Sequence, residues 1–170
     1  QYTLSILNSS FYRTNEAGSF FINSLFTYPK KVNAEIKNNL FSGTRLQYSY
    51  EYVAGYGKGT VLTIENNKIT SGVIYVNKFF DVLRIVGNEL DDGIIEFGKD
   101  IVVNCGSINS NYLKKGIYDD GELQGRAMLN FGIGQIQKMN IHGNTFVFYR
   151  KDPESTVSLQ TFGVSTSGDA

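Results

Sequence analysis

Apolar residues recur along most of this chain at every second position, seldom at every third or fourth. That is the spacing of strands with one face turned inward. At the start, Tyr2, Leu4 and Ile6 alternate with Thr3 and Ser5, and Asn8-Ser9-Ser10 ends the strand. An apolar run from Phe20 to Phe26 lies between Gly18 and Pro29, and the positions of Val32, Ile36 and Leu40 suit a short helix or a strand followed by a loop. Further strands are predicted over residues 45–53, 60–65, 68–70, 72–76, 82–86, 101–103, 127–131, 136–141, 145–149 and 157–162.

Turn chemistry separates these segments. Asn66-Asn67 sits between two alternating runs, where asparagine tolerates the left-handed conformations of a tight hairpin. Asp91-Asp92-Gly93 and Asp119-Asp120-Gly121 read as two more hairpin tips. Their surroundings differ too much to count as an internal repeat. About a dozen short strands at this spacing predict an all-β fold: a two-sheet antiparallel β-sandwich, jelly-roll-like, with at most one short helix. Residues 1–164 form one domain in this reading, and residues 165–170 a flexible C-terminal tail.

Composition narrows the function classes. The 170 residues carry 16 basic and 16 acidic side chains, a formal net charge of zero, so no field of one sign recruits nucleic acid. One cysteine and one histidine cannot assemble a zinc cluster or close an intramolecular disulfide. No segment reaches the roughly twenty apolar residues of a helical membrane span. The first residue, Gln1, suggests a processed or trimmed start, and the abundance of Ser, Thr, Asn, Gly and Tyr points to a secreted or cell-surface location. There, Asn8-Ser9-Ser10 would be a glycosylation acceptor.

Candidate chemistry is sparse. Cys105 would need His142 within hydrogen-bond reach to act as a nucleophile, and no Gly-X-Ser-X-Gly elbow is present, so no catalytic residue is assigned. Asp91, Asp92, Asp119, Asp120 and Glu122 could hold calcium if the two acidic turns converge; otherwise no cofactor is expected. The loop from Gly55 to Gly59 lacks the spacing of a phosphate cradle. In the strand before it, Tyr48, Tyr50 and Tyr52 share one face with Leu46, and Gln47, Ser49 and Glu51 share the other. The polar second face favours an inward placement of the tyrosines, leaving Tyr56 and Lys58 at the loop tip as the better contacts for a partner.

These features favour a non-enzymatic protein that acts through binding, as an adhesive or self-assembling structural subunit. Its partner is then a protein or copies of itself in a homo-oligomer, with Tyr2, Leu4 and Ile6 as a strand that adds to a neighbouring sheet. The alternative is a carbohydrate-binding module or lectin, calcium-assisted or not, with a glycan stacked on Tyr48, Tyr50, Tyr52, Tyr56 and Lys58.

Overall fold

The computed structural model describes residues 2–12, 20–23, 32–49, 60–117, 128–131 and 134–150. Among them every element is a strand, and every strand pairing is parallel. The antiparallel sandwich and jelly roll are thereby overturned, and no helix lies among the described residues. Val32, Ile36 and Leu40, where a helix was one option, lie in two strands instead.

The chain winds as a solenoid. Its first rung comprises β1 (Tyr2–Leu7), β2 (Ser10–Tyr12) and β3 (Phe20–Asn23). The second is β4 (Val32–Lys37), β5 (Leu40–Ser42) and β6 (Arg45–Ser49), and the third is β7 (Val61–Glu65), β8 (Lys68–Thr70) and β9 (Val73–Val76). The fourth is β10 (Phe79–Val86), β11 (Glu89–Asp91) and β12 (Ile94–Phe97). The fifth is β13 (Val102–Asn109), β14 (Tyr112–Ile117) and β15 (Leu129–Phe131). Within the sixth, β16 (Gln135–Ile136) and β17 (Met139–His142) both lie along β13, and β18 (Thr145–Arg150) follows.

In the first five rungs the successive strands belong to three different sheets. Sheet A runs β1-β4-β7-β10-β13-β16 with β17 also on β13, sheet B runs β2-β5-β8-β11-β14-β18, and sheet C runs β3-β6-β9-β12-β15. Each strand therefore pairs with its counterpart one rung away, about 4.8 Å along the axis. This is a parallel β-helix, an architecture in which each repeat buries its apolar face only against its neighbours.

Register stacks like upon like in the interior. In sheet A, Ile6, Ile36, Ile64, Ile85, Ile108 and Ile141 align in one row. In sheet B the row is Phe11, Phe41, Ile69, Leu90, Leu113 and Phe146, with the Phe11 and Phe41 rings stacked at 4.9 Å. In sheet C, Leu46, Ile74, Ile95 and Leu129 align, and all four are buried. A second row of sheet A ends Leu83, Gly106, Met139, where the missing side chain of Gly106 leaves room that the Met139 thioether fills.

The turns at Asn66-Asn67 and Asp91-Asp92-Gly93 are corners between sheets, a second correction to the hairpin expectation. At the corner between sheets A and B, one residue takes positive φ in every rung: Asn8, Asn38, Asn66, Gly87, Ser110 and Gly143. The next residue is Ser9 in the first rung and asparagine in the others: Asn39, Asn67, Asn88, Asn111 and Asn144. Each of these five asparagines accepts at Oδ1 the backbone N–H of the residue one rung earlier, at 2.9–3.0 Å. Each also donates Nδ2 to a backbone carbonyl of the aligned isoleucine row, at 2.7–3.0 Å. Asparagine is suited to this because its amide both accepts and donates, so a buried ladder leaves no member wanting.

An internal repeat is thus present: an isoleucine, one residue, the positive-φ residue, the asparagine, one residue, then an apolar group. Its intervals are uneven, because chain inserted at other corners separates the rungs by different lengths. That unevenness hides it from a search for a fixed period.

Candidate functional site

The predicted site residues fall into three groups. Tyr50, Tyr52, Tyr56 and Lys58, and Asp119, Asp120 and Glu122, lie outside the described residues, as does the 165–170 tail. Tyr48 lies in β6, its backbone in register with Val76 and, through it, with Phe97 and Phe131. Those three aligned residues are buried core.

Asp91 and Asp92 both have other work. The Asp91 carboxylate lies 3.7 Å from the Lys114 ammonium on the outer face of sheet B. Asp92 takes φ 56° at the corner and accepts the Gly116 N–H at 3.2 Å. Among the described residues no three His, Cys, Asp or Glu side chains converge on a point.

Cys105 and His142 share the outer face of sheet A and are both exposed. His142 pairs in register with Asn109, four residues beyond Cys105 on β13, which separates the two by about 13 Å along the strand. They are not within hydrogen-bond reach of each other, so the thiol has no imidazole base beside it.

The flanks of the solenoid are polar. On sheet A the outward row runs Ser5, Glu35, Thr63, Arg84, Ser107, Asn140. Beside it, the Lys37 ammonium lies 3.3 Å from both the Glu35 and the Glu65 carboxylates, and those hydrogen bonds raise its pKa. On sheet B, Lys68 meets Glu89 at 3.2 Å. On sheet C, the Arg45 guanidinium lies 4.1 Å above the Tyr75 ring and 3.6 Å from Glu96. Burial raises the Tyr75 pKa, and the neighbouring Arg45 charge opposes part of that rise. Opposite charges within a strand or one or two rungs apart pair on these faces, and each exposed pair adds little stability.

The two ends differ from the flanks. Among the described residues, β1 and β18 are outermost strands of sheets A and B, at opposite ends of the described winding. Natural edge strands are commonly blunted by charge, proline or a bulge. β1, Tyr-Thr-Leu-Ser-Ile-Leu, has no charged residue, glycine or proline, and neither has β2, Ser-Phe-Tyr. Leu4 and Ile6, two of the three residues assigned to an assembly strand, are partly buried against the core. Tyr2 aligns with Val32. The strand is therefore a rung of its own solenoid, paired with β4 alone among the described residues.

Four large apolar side chains are exposed among the described residues: Leu7, Tyr12, Tyr112 and Ile141. Three of them belong to the first and last described rungs. Sequence alternation had marked Tyr2, Leu4 and Ile6 but not Leu7, Tyr12, Ile141 or the asparagine ladder. Recognising the isoleucine-to-asparagine repeat would have found the ladder.

No family model, curated protein or solved structure matches this chain. Among the described residues, no helix is long and apolar enough to cross a membrane.

Proposed function

We propose that this protein is a non-enzymatic structural subunit, secreted or displayed at a cell surface, that acts by binding and assembles with copies of itself. The observation that carries the reading is the first described rung: a six-residue strand and its three-residue continuation, each paired on one side only among the described residues and both without charge, beside exposed Leu7 and Tyr12. Unpaired parallel-strand edges of this composition recruit another strand, since main-chain groups are satisfied and apolar area is removed from water together. The polar interior residues support the same reading, because the ladder asparagines are committed to holding rungs together.

Light scattering tests it. The expected result is a mass above the 19.0 kDa of one chain that rises with concentration. Placing charge on the edge with Thr3→Lys and Ser5→Lys, both exposed positions, should return the mass to that of one chain. A wild-type protein that stays at one chain at every concentration would overturn the reading.

A further inference from the structure

We infer that two copies of this chain pair through the outer face of sheet B, related by a two-fold axis that runs along the strands between β8 and β11. The contact lies on a flank of the winding and uses neither its first nor its last surface. It goes beyond the reading above, because it needs no strand edge.

Two rows of side chains make up that face. The first is Ser10, Leu40, Lys68, Glu89, Tyr112 and Thr145, and the second is Tyr12, Ser42, Thr70, Asp91, Lys114 and Val147. All are exposed or half-buried. A two-fold axis between the third and fourth rungs reverses rung order across the contact, so the first rung meets the sixth, the second the fifth and the third the fourth. In the first row, Lys68 then faces the partner's Glu89, Leu40 the partner's Tyr112 and Ser10 the partner's Thr145. In the second, Thr70 faces the partner's Asp91, Ser42 the partner's Lys114 and Tyr12 the partner's Val147. Opposite charges meet, apolar groups meet, and hydroxyls meet groups they can hydrogen-bond. Tyr12, 64% exposed, and Tyr112, 40% exposed, are both covered by an aliphatic side chain. A two-fold contact demands this self-complementarity, because every pair occurs twice.

Charge fixes where the axis lies. Within one copy the Lys68 ammonium is 3.2 Å from the Glu89 carboxylate. The two-fold lays a second such pair over the first in reversed order, so four charges alternate in sign around a square. Each then has two neighbours of opposite sign, and charges in a network contribute more than an isolated exposed pair. An axis shifted onto β8 would set Lys68 against itself, and one shifted onto β11 would do the same to Glu89. The outer face of sheet A fails the equivalent operation: an axis between β7 and β10 lays Leu7 on the partner's His142 and Glu65 on the partner's Val86. The sheet B face is about 24 Å long and about 10 Å wide over its six rungs. A contact that narrow is weak and is populated at high concentration.

Crosslinking tests the geometry in a Thr3→Lys, Ser5→Lys, Cys105→Ser background, which silences the strand edge of the reading above. Ser10→Cys and Thr145→Cys, both at exposed positions, are made as separate proteins and mixed at high concentration. The mixture is treated with a bismaleimide that spans the about 10 Å between packed sheets. A linked dimer in the mixture supports the pairing, while Ser10→Cys alone stays unlinked because its two thiols lie about 26 Å apart across the axis. Lys68→Glu in both proteins should lower the yield about fivefold, and adding Glu89→Lys to both should restore it. The control is Ser10→Cys mixed with a chain whose only cysteine is Cys105, on sheet A. A yield no higher than this control overturns the pairing. So does a dimer of Ser10→Cys with itself, in which rungs face their own counterparts, and so does a yield indifferent to Lys68→Glu. A covalent link captures a weak contact even where light scattering reads one chain, so this contact and the strand-edge assembly stand or fall separately.

Discussion

Asn67 donates twice to one atom: its backbone N–H at 3.0 Å and its Nδ2 at 2.9 Å both reach Oδ1 of Asn88. Asn88 in turn gives the same pair of bonds to Asn111, at 2.9 Å each. Replacing Asn88 by alanine would strip two donors of Asn67 of their acceptor in a fully buried place, and would free the Ile64 carbonyl as well. The expected cost is about 2–4 kcal/mol, read as a lower urea midpoint. Asn144→Ala, at the half-buried end of the ladder, should cost clearly less. Equal losses at the two sites would show that the ladder is not cooperative.

Glycine at two positions makes a second contrast. A methyl group at Gly72 would run into the Thr44 carbonyl oxygen, which belongs to the backbone of the preceding rung and cannot step aside. At Gly106 the obstacle is the Sδ and Cε of Met139, the far end of a flexible side chain. Gly72→Ala should lower stability by about 1–3 kcal/mol, and Gly106→Ala by less. Thermal unfolding of the two variants side by side decides it; a larger loss at Gly106 would refute the packing assigned to Met139.

Alkaline pH should loosen the fold in two ways. Glu35 and Glu65 raise the pKa of Lys37 above its ordinary 10.5, and burial raises that of Tyr75 above 10.0. In both cases the folded state holds its proton more tightly than the unfolded one. The associated stability is present below the ordinary values and is lost as pH climbs through the raised ones. Tm should be level toward pH 9 and fall above about pH 10, with part of the fall missing in Tyr75→Phe. The Lys37 share is solvent-exposed and should shrink in high salt.

Cys105 is exposed on the outer face of sheet A, away from the packed rows. A thiol reagent should label it fully in the folded protein at the rate of an ordinary accessible thiol, and Cys105→Ser should shift stability by less than about 0.5 kcal/mol. Protection from labelling in the wild-type protein, relieved by Thr3→Lys and Ser5→Lys, would place the outer face of sheet A inside the assembly contact.

Much of the secondary structure was legible because alternation is a local property. Tyr2 to Leu7 is a strand ended at Asn8, as its pattern requires, and Asn66 takes the left-handed conformation its turn chemistry suggested, whereas in Asp91-Asp92-Gly93 it is Asp92 and not the glycine that takes it. What alternation cannot carry is the direction of the partner. Ile64 reads the same whether its neighbour runs antiparallel after a hairpin or parallel one rung away. The decisive signal was Asn67, which looks like half of a two-residue turn and is instead a buried rung-to-rung link to Asn39 and Asn88. Its partners stand 28 and 21 residues away, beyond the reach of any turn rule. Of the candidate site, the N-terminal strand was legible, and the exposed apolar corners were not, because Leu7 stands in an outward row and Ile141 is exposed in a row that is buried at Ile36, Ile64, Ile85 and Ile108, and only the winding defines those rows.

Because no described strand pairs with the one before it or after it in sequence, a single rung contains no sheet. Order in such a chain has to begin as two turns laid together, the later one supplying Oδ1 to the earlier. Once that pair exists, each new turn finds a finished template of carbonyls, isoleucines and an asparagine waiting at its edge. Growth is then a matter of copying, and the terminal surface is always the one surface prepared to be copied again.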